Sequence, residues 1–206
     1  AFMNPPSQTL SDYKETDTSF PARYARAIAY YKWTQTDRAL KERDARIADY
    51  PTNPYLWELK GQVLFESGKP KLSAPAYRKA VELKPEAPLL RVSLAQTLLA
   101  EDDPKLVDEA VANAKKALAV DNTNAFGWRL LSQAYDSKGM DGMARLAAAE
   151  EKFAVGDAKQ ARIFAMRARE RLDKGTTEYR RATDIALTSD PSKDDLEALR
   201  KEGAVR

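Results

Sequence analysis

The chain has 206 residues, with 34 Lys plus Arg against 31 Asp plus Glu for a formal charge of +3, and it contains neither cysteine nor histidine. Hydrophobic residues make up 43% and charged residues 32%, the balance of a folded protein rather than a disordered one. The two absences remove whole classes of chemistry: disulfides, thiolate nucleophiles, cysteine-ligated zinc, imidazole bases, Ser-His-Asp triads and HExxH zinc sites. Near-neutrality announces no nucleic-acid or anionic-membrane partner, and no run approaches the roughly 20 apolar residues of a membrane span.

At the start, Ala1-Phe2-Met3 runs straight into Asn4-Pro5-Pro6, a helix-stop pattern with no helix before it. It reads as the tail of an upstream element, so the chain is expected to be part of something longer. Residues 1–18 are polar and proline-containing and read as a linker or strap with little to bury. Residues 19–189 are Ala-rich helical segments split by short Pro, Gly or Asn turns, without the alternation of a strand, so an all-α fold is expected. Residues 190–206 read as a charged C-terminal helix or tail, with only Leu196, Leu199 and Val205 to bury.

Self-similarity decides the architecture. Pro51 and Pro85 each follow an amphipathic segment and lie 34 residues apart, the period of the tetratricopeptide repeat (TPR), in which each unit is two antiparallel helices. Residues 54–87 match best: Trp57 at position four, Gly61 at eight, Leu64 at eleven, Gly68 at the turn, Tyr77 at twenty-four, Ala80 at twenty-seven and Pro85 at thirty-two. Gly61 is expected to let two helix backbones approach, and Gly68 to supply a left-handed residue at the turn. Tyr77 and Ala80 form a large–small pair for nesting, while Ser73 reads as an N-cap with Pro75 in the first turn.

The unit before it, residues 20–53, keeps Ala27, Tyr30, Ala39 and Pro51 but carries Arg43 and Arg46 where an aromatic and a small residue are usual. That polarity suits an end unit facing solvent or another domain. The third unit opens at Pro88, and its inter-helix turn, Glu101-Asp102-Asp103-Pro104, is three residues longer than usual. The fourth carries Trp128, Leu131, Tyr135 and Gly139; a degenerate fifth follows with Ala161, Ala165 and Ala168. The expectation is a solenoid of about four to five antiparallel helix pairs.

In such a solenoid the first helix of each pair lines the concave face. The expected groove is Tyr24, Ile28 and Tyr31; then Tyr55, Glu58, Gln62 and Phe65; then Leu89, Val92, Gln96 and Leu99; and lastly Phe126, Arg129, Gln133 and Asp136. Gln62, Gln96 and Gln133 recur at one repeat position. They read either as a ladder of amides for the main chain of an extended peptide, or as good helix formers on a wet face. The aromatics read either as binding contacts or as packing for the linker or a neighbouring domain. A carboxylate clamp of the kind found in chaperone adaptors needs Lys, Arg and Asn. Glu58, Gln62, Val92, Ser93 and Gln96 stand at those positions, which disfavours that partner class.

Eight Lys or Arg between residues 159 and 181 form a basic stripe. It reads as a solvated helix face with Arg stems covering apolar neighbours, and the aromatic interleaving of a single-strand binder is thin. Glu101, Asp102 and Asp103 lack the spacing of a calcium loop. Trp57 and Trp128 recur at equivalent positions and read as core anchors; Trp33, near a helix end, is open to either reading. No carboxylate pair sits in apolar sequence in the manner of general acid–base catalysis, so neither catalysis nor a cofactor is expected of this chain.

The passages Arg23-Tyr24-Ala25-Arg26-Ala27, Asn53-Pro54-Tyr55-Leu56-Trp57-Glu58-Leu59-Lys60-Gly61-Gln62 and Pro88-Leu89-Leu90-Arg91-Val92 resemble the C-terminal repeat region of BepA-like zinc metallopeptidases of the Gram-negative envelope. The HExxH domain of that family is absent from this chain. The resemblance implies a periplasmic, non-catalytic interaction domain that offers its groove to client polypeptide, to its own protease domain or to the outer-membrane assembly machinery, without nucleic acid and without membrane insertion. The alternatives are a stand-alone TPR scaffold or assembly factor with no attached enzyme, and a cytoplasmic location.

Overall fold

The computed structural model describes residues 4–189, 191–201 and 203; the side chains of Thr36 and Arg43 lie outside that description, as do the readings made on Ala1-Phe2-Met3 and Val205. Among the described residues there are twelve α-helices and no strand. They are α1 (Pro6–Asp12), α2 (Phe20–Lys32), α3 (Thr36–Asp49), α4 (Pro54–Glu66), α5 (Pro70–Leu83), α6 (Pro88–Leu99), α7 (Val107–Val120), α8 (Ala125–Ser137), α9 (Asp141–Ala154), α10 (Ala158–Arg169), α11 (Thr177–Thr188) and α12 (Lys193–Lys201). In the expected register α2 packs on α3 and α4 on α5, and α8 packs on α9 and α10 on α11. The chain divides into two compact units, residues 1–101 and 102–206, parted at the turn after α6.

In the first unit each helix packs on its chain neighbours, from α1 on α2 through α5 on α6. Helix starts follow from local chemistry. The Asn53 side chain accepts from the Tyr55 amide, and Pro54, Pro70 and Pro88 each stand at a first helical position, where a missing N–H costs nothing. Residues 1–18 are more structured than a linker: they contain α1, whose Thr9 is buried.

Arg26, only 2% exposed, holds that segment to the repeats. Its Nε and one terminal nitrogen donate to the two Glu42 oxygens at 2.8 and 2.9 Å, and its other terminal nitrogen donates to the carbonyls of Lys14 at 2.6 Å and Asp17 at 2.8 Å. Four hydrogen bonds thus join α2, α3 and the strap through one guanidinium.

Two sequence expectations are corrected here. Ser73 is not an N-cap, because Pro70 already opens α5; Ser73 is a buried interior residue whose hydroxyl donates to the Gly61 carbonyl at 2.7 Å, and Pro75 lies inside the helix. Arg46 does not face solvent. Its buried guanidinium lies 4.3 Å from the Phe20 ring centroid and 4.5 Å from that of Tyr50, and it donates to Asp49 at 2.9 Å. Cation–π contact there replaces the small residue usual at that position.

In the second unit, a 3-10 turn (Pro104–Leu106) precedes α7 and absorbs the longer inter-helix connection. Leu146, Ala149, Ala161, Ala165, Ala168, Ala182, Ile185 and Ala186 form its apolar centre, where small alanines let α9, α10 and α11 lie close. The basic stripe is not merely a solvated face. Arg169 is buried and donates to Thr183 at 2.9 Å and to Tyr179 at 2.8 Å; Arg181 pairs with Glu150 at 2.6 Å, Arg162 with Asp195 at 3.2 Å and Arg171 with Asp141 at 3.4 Å. Through Asp195 and fully buried Leu199, α12 joins this packing. No helix among the described residues is long and apolar enough to cross a membrane.

Three devices recur from repeat to repeat. The turn residue at position fifteen has positive φ in four units: Thr34 (58°), Gly68 (72°), Asp102 (53°) and Gly139 (69°). Glycine adopts that region freely, whereas β-branched Thr34 does not. Thr34→Gly should therefore raise the stability of the first unit by about 1 kcal/mol, read as a higher Tm. At position four the side chain donates to the carbonyl six residues earlier: Trp57 to Pro51 at 2.9 Å, Arg91 to Pro85 at 2.8 Å and Trp128 to Asn122 at 2.8 Å. Both tryptophans are half-buried tethers of the inter-repeat turn rather than fully buried anchors. Finally, positions eight and twenty are bridged with donor and acceptor exchanged: Ser73 to Gly61 in the second repeat, and Ser132 to Ala144 at 2.8 Å in the fourth.

Candidate functional site

Helices α2 and α4 of the first unit enclose a recess of about 440 Å³ whose lining includes Phe20, Tyr24, Tyr55, Glu58 and Gln62. Four of these are residues the repeat pattern assigns to the groove. Phe20 and Tyr24 stack with centroids 6.0 Å apart and planes 11° from parallel. Tyr55, 54% exposed, stands at the first turn of α4, placed there by the Asn53 cap. Its hydroxyl accepts from the Lys84 ammonium at 2.7 Å, with that nitrogen 5.1 Å from the ring centroid.

Glu58 is half-buried in the recess and has no hydrogen bond or ion pair among the described residues. Burial pushes its carboxyl pKa up. Gln62 is exposed, and its amide donates to Glu66 at 2.8 Å. Beneath them the Tyr77 phenol is pushed up to about 12, chiefly by burial and then by the negative charge of Glu58.

A raised folded-state pKa on Glu58 means the folded protein binds this proton more readily than the unfolded chain does. The resulting penalty grows as pH rises through the ordinary carboxylate range and is full above the raised value. Glu58→Gln should accordingly raise Tm at neutral pH and lose that advantage below the ordinary carboxylate range. Melting curves of both proteins from about pH 3 to about pH 8, which begin below the ordinary carboxylate range and end well above it, measure it.

The other expected groove residues divide. Ile28 and Val92 are corrected: they are 3% and 5% exposed and belong to the core, because their helix positions turn inward against neighbouring helices rather than outward. Tyr31, Phe65, Gln96 and Leu99 are half-buried, and Leu89 is exposed. Phe126, Arg129, Gln133 and Asp136 belong to the second unit. There Arg129 lies 5.0 Å from the Phe126 centroid, and Arg129, Gln133 and Asp136 line a separate recess of about 410 Å³ with Phe164 and the Asp141–Arg145 pair.

One concavity has no counterpart in the sequence reading. In the second unit Leu118, Trp128, Leu131, Tyr135 and Met143 wall an apolar space of about 370 Å³ with the Glu150–Arg181 pair at its edge. Its walls come from α7, α8 and α9, and each of these residues reads in the sequence as ordinary core. Among the described residues no group of acidic side chains is arranged to hold a metal ion.

These elements define an all-α fold of the tetratricopeptide-repeat solenoid class. Solved structures agree on the fold. MamA superposes with a TM-score of 0.62 at 16% identity, covering 97% of this chain and 97% of its own. YrrB, a TPR protein with an unusual peptide-binding site, does so with a TM-score of 0.58 at 16% identity, covering 96% and 98%. PilW, a widely conserved type IV pilus biogenesis factor, gives a TM-score of 0.53 at 15% identity over 88% and 91%. No protein-family model matches the sequence, and no curated protein matches it significantly.

Proposed function

We propose that this chain is a non-catalytic polypeptide-binding module whose contact surface in the first unit is the face formed by α2 and α4. The observation that carries the reading is the first-unit recess, where Tyr24, Tyr55, Glu58 and Gln62 stand around unfilled space instead of closing over a core. Exposed aromatic area beside hydrogen-bonding amides is the composition expected where an extended chain is held by apolar contact and main-chain hydrogen bonds. The peptide-binding site named for YrrB lies on a fold of the same class and supports this reading. It assigns no cofactor and no catalytic group to this chain.

In its finer form the module is the periplasmic repeat region of a BepA-like zinc metallopeptidase, docking clients or the outer-membrane assembly machinery while the missing domain supplies zinc chemistry. The resemblance in residues 23–27, 53–62 and 88–92 supports that form. A stand-alone scaffold is the second reading. The TPR folds of MamA and YrrB are equally consistent with it.

The test uses an unfolded outer-membrane β-barrel protein diluted from urea as the client. Wild type should bind it; a Tyr24→Ala, Tyr55→Ala variant and, separately, a Gln62→Ala, Gln96→Ala, Gln133→Ala variant should bind at least several-fold more weakly with unchanged circular dichroism. Equal binding by all three would remove the groove. Adding a purified HExxH domain and measuring client cleavage distinguishes the docking role from the scaffold role.

A further inference from the structure

The groove reading says that a polypeptide is held but not which side chains are preferred. The first-unit recess contains a more specific arrangement. Glu58 is a carboxylate half removed from water with nothing to neutralise it among the described residues, in a recess that Tyr24 and Tyr55 also line. Leaving such a charge uncompensated is costly, and at neutral pH a cation brought beside it offsets that cost.

Among the described residues no lysine or arginine lines the recess. Arg26 is spent on Glu42, Lys60 on Asp44 at 2.8 Å, and Arg46 on Asp49 and the Phe20 ring. Lys84 reaches Tyr55 from the rim, where it binds the phenol oxygen. Glu66 adds a second negative charge one turn beyond Gln62, and the buried Tyr77 phenol registers the field of both carboxylates. The lining therefore combines a carboxylate with tyrosine rings and, among the described residues, holds no lysine or arginine.

We propose that this recess is a cation-recognition subsite, in which Glu58 and the rings of Tyr24 and Tyr55 receive the ammonium or guanidinium of a basic side chain in the bound polypeptide. A carboxylate supplies the charge and hydrogen-bond acceptors, and tyrosine faces supply cation–π attraction to a partly desolvated head group. The sign is opposite to that of a carboxylate clamp, so an acidic segment or a free C-terminus is repelled. This preference rests on the groove reading for its polypeptide context, while the subsite itself is tested by a probe that is not a polypeptide.

Two measurements on the full chain decide it. First, fluorescence anisotropy compares three blocked nonapeptides of Ser and Ala with two central residues that are Lys, norleucine or Glu. The Lys peptide should bind about fivefold or more tighter than the norleucine peptide, a margin set by cation–π and ion-pair magnitudes. Glu58→Gln should abolish that margin, and Glu58→Lys should reverse it in favour of the Glu peptide. Second, acetyl-lysine methylamide is titrated by NMR. It should shift Tyr24, Tyr55 and Gln62 resonances in wild type and leave them still in Glu58→Gln, with sodium chloride as the ionic control. Equal binding of Lys and norleucine peptides with no lysine-amide shifts overturns the subsite while the groove stands. Lysine-amide shifts with no peptide binding overturn the groove while the subsite stands. Loss of both overturns both.

Discussion

Arg26→Met should destabilise the first unit by about 3–5 kcal/mol, the cost of removing one partner from a buried, multiply bonded ion pair. The substitution keeps much of the apolar stem and removes the fork. Glu42, largely buried against α2, would then lose both donors of a bidentate contact, and the carbonyls of Lys14 and Asp17 would lose theirs. Each orphaned polar group adds its own desolvation cost. The loss should also be local in a recognisable way, because the strap is held through those two carbonyls. Limited proteolysis should cut residues 13–18 in the variant under conditions that spare wild type. Arg26→Lys should recover little, since an ammonium cannot serve Glu42 bidentately and two carbonyls at once. A strap equally protected in Arg26→Met would show that α1 is held by its own packing instead.

Gly61→Ala is the second large effect. A Cβ built at Gly61 stands 2.7 Å from the Tyr77 ring, closer than packed carbon atoms approach. Tyr77 is buried and rigid and cannot swing away without exposing apolar surface, so the strain falls on the α4–α5 crossing, which the Ser73–Gly61 hydrogen bond also fixes. The expected cost is about 2–3 kcal/mol, the upper part of the range for overpacking. A double-mutant cycle identifies the cause: in a Tyr77→Leu background, the same Gly61→Ala change should cost less than about 1 kcal/mol. An undiminished cost there would move the explanation to the helix backbone.

The 34-residue register made the helix pairs readable, because it is set by residues with simple geometric duties. Gly68 at the turn, Tyr77 against a small position and Pro85 after a helix each announce one structural event. Gly61 was legible as a close approach, although its neighbour is the Tyr77 ring rather than a backbone. Arg26 and Arg46 were not legible. The partners of Arg26 sit 9 to 16 residues away, and Arg46 is covered by the Phe20 ring of the preceding helix as well as by nearby Asp49 and Tyr50, so neither burial follows from charge pattern alone. The α5 start was misread because Ser73 is a good capping type, whereas Pro70 three residues earlier controls where the helix begins.

In the candidate site, Tyr24, Tyr55, Glu58 and Gln62 followed from counting positions along the first helices. Ile28 and Val92 failed the same count because position nine in one unit and position five in another rotate inward where a neighbouring helix crosses. The apolar space beside Trp128 was invisible for the opposite reason: its walls come from α7, α8 and α9, and each wall alone reads as interior.

The tethered tryptophans have a practical consequence. Trp33 and Trp57 belong to residues 1–101 and Trp128 to residues 102–206, so intrinsic fluorescence carries one signal from each half. Trp128→Phe silences the second half, and Trp33→Phe with Trp57→Phe silences the first. Emission from the two indoles left in the first half, or from the one left in the second, then follows denaturation of that half, showing directly whether the repeat array melts as a single cooperative block or in two stages.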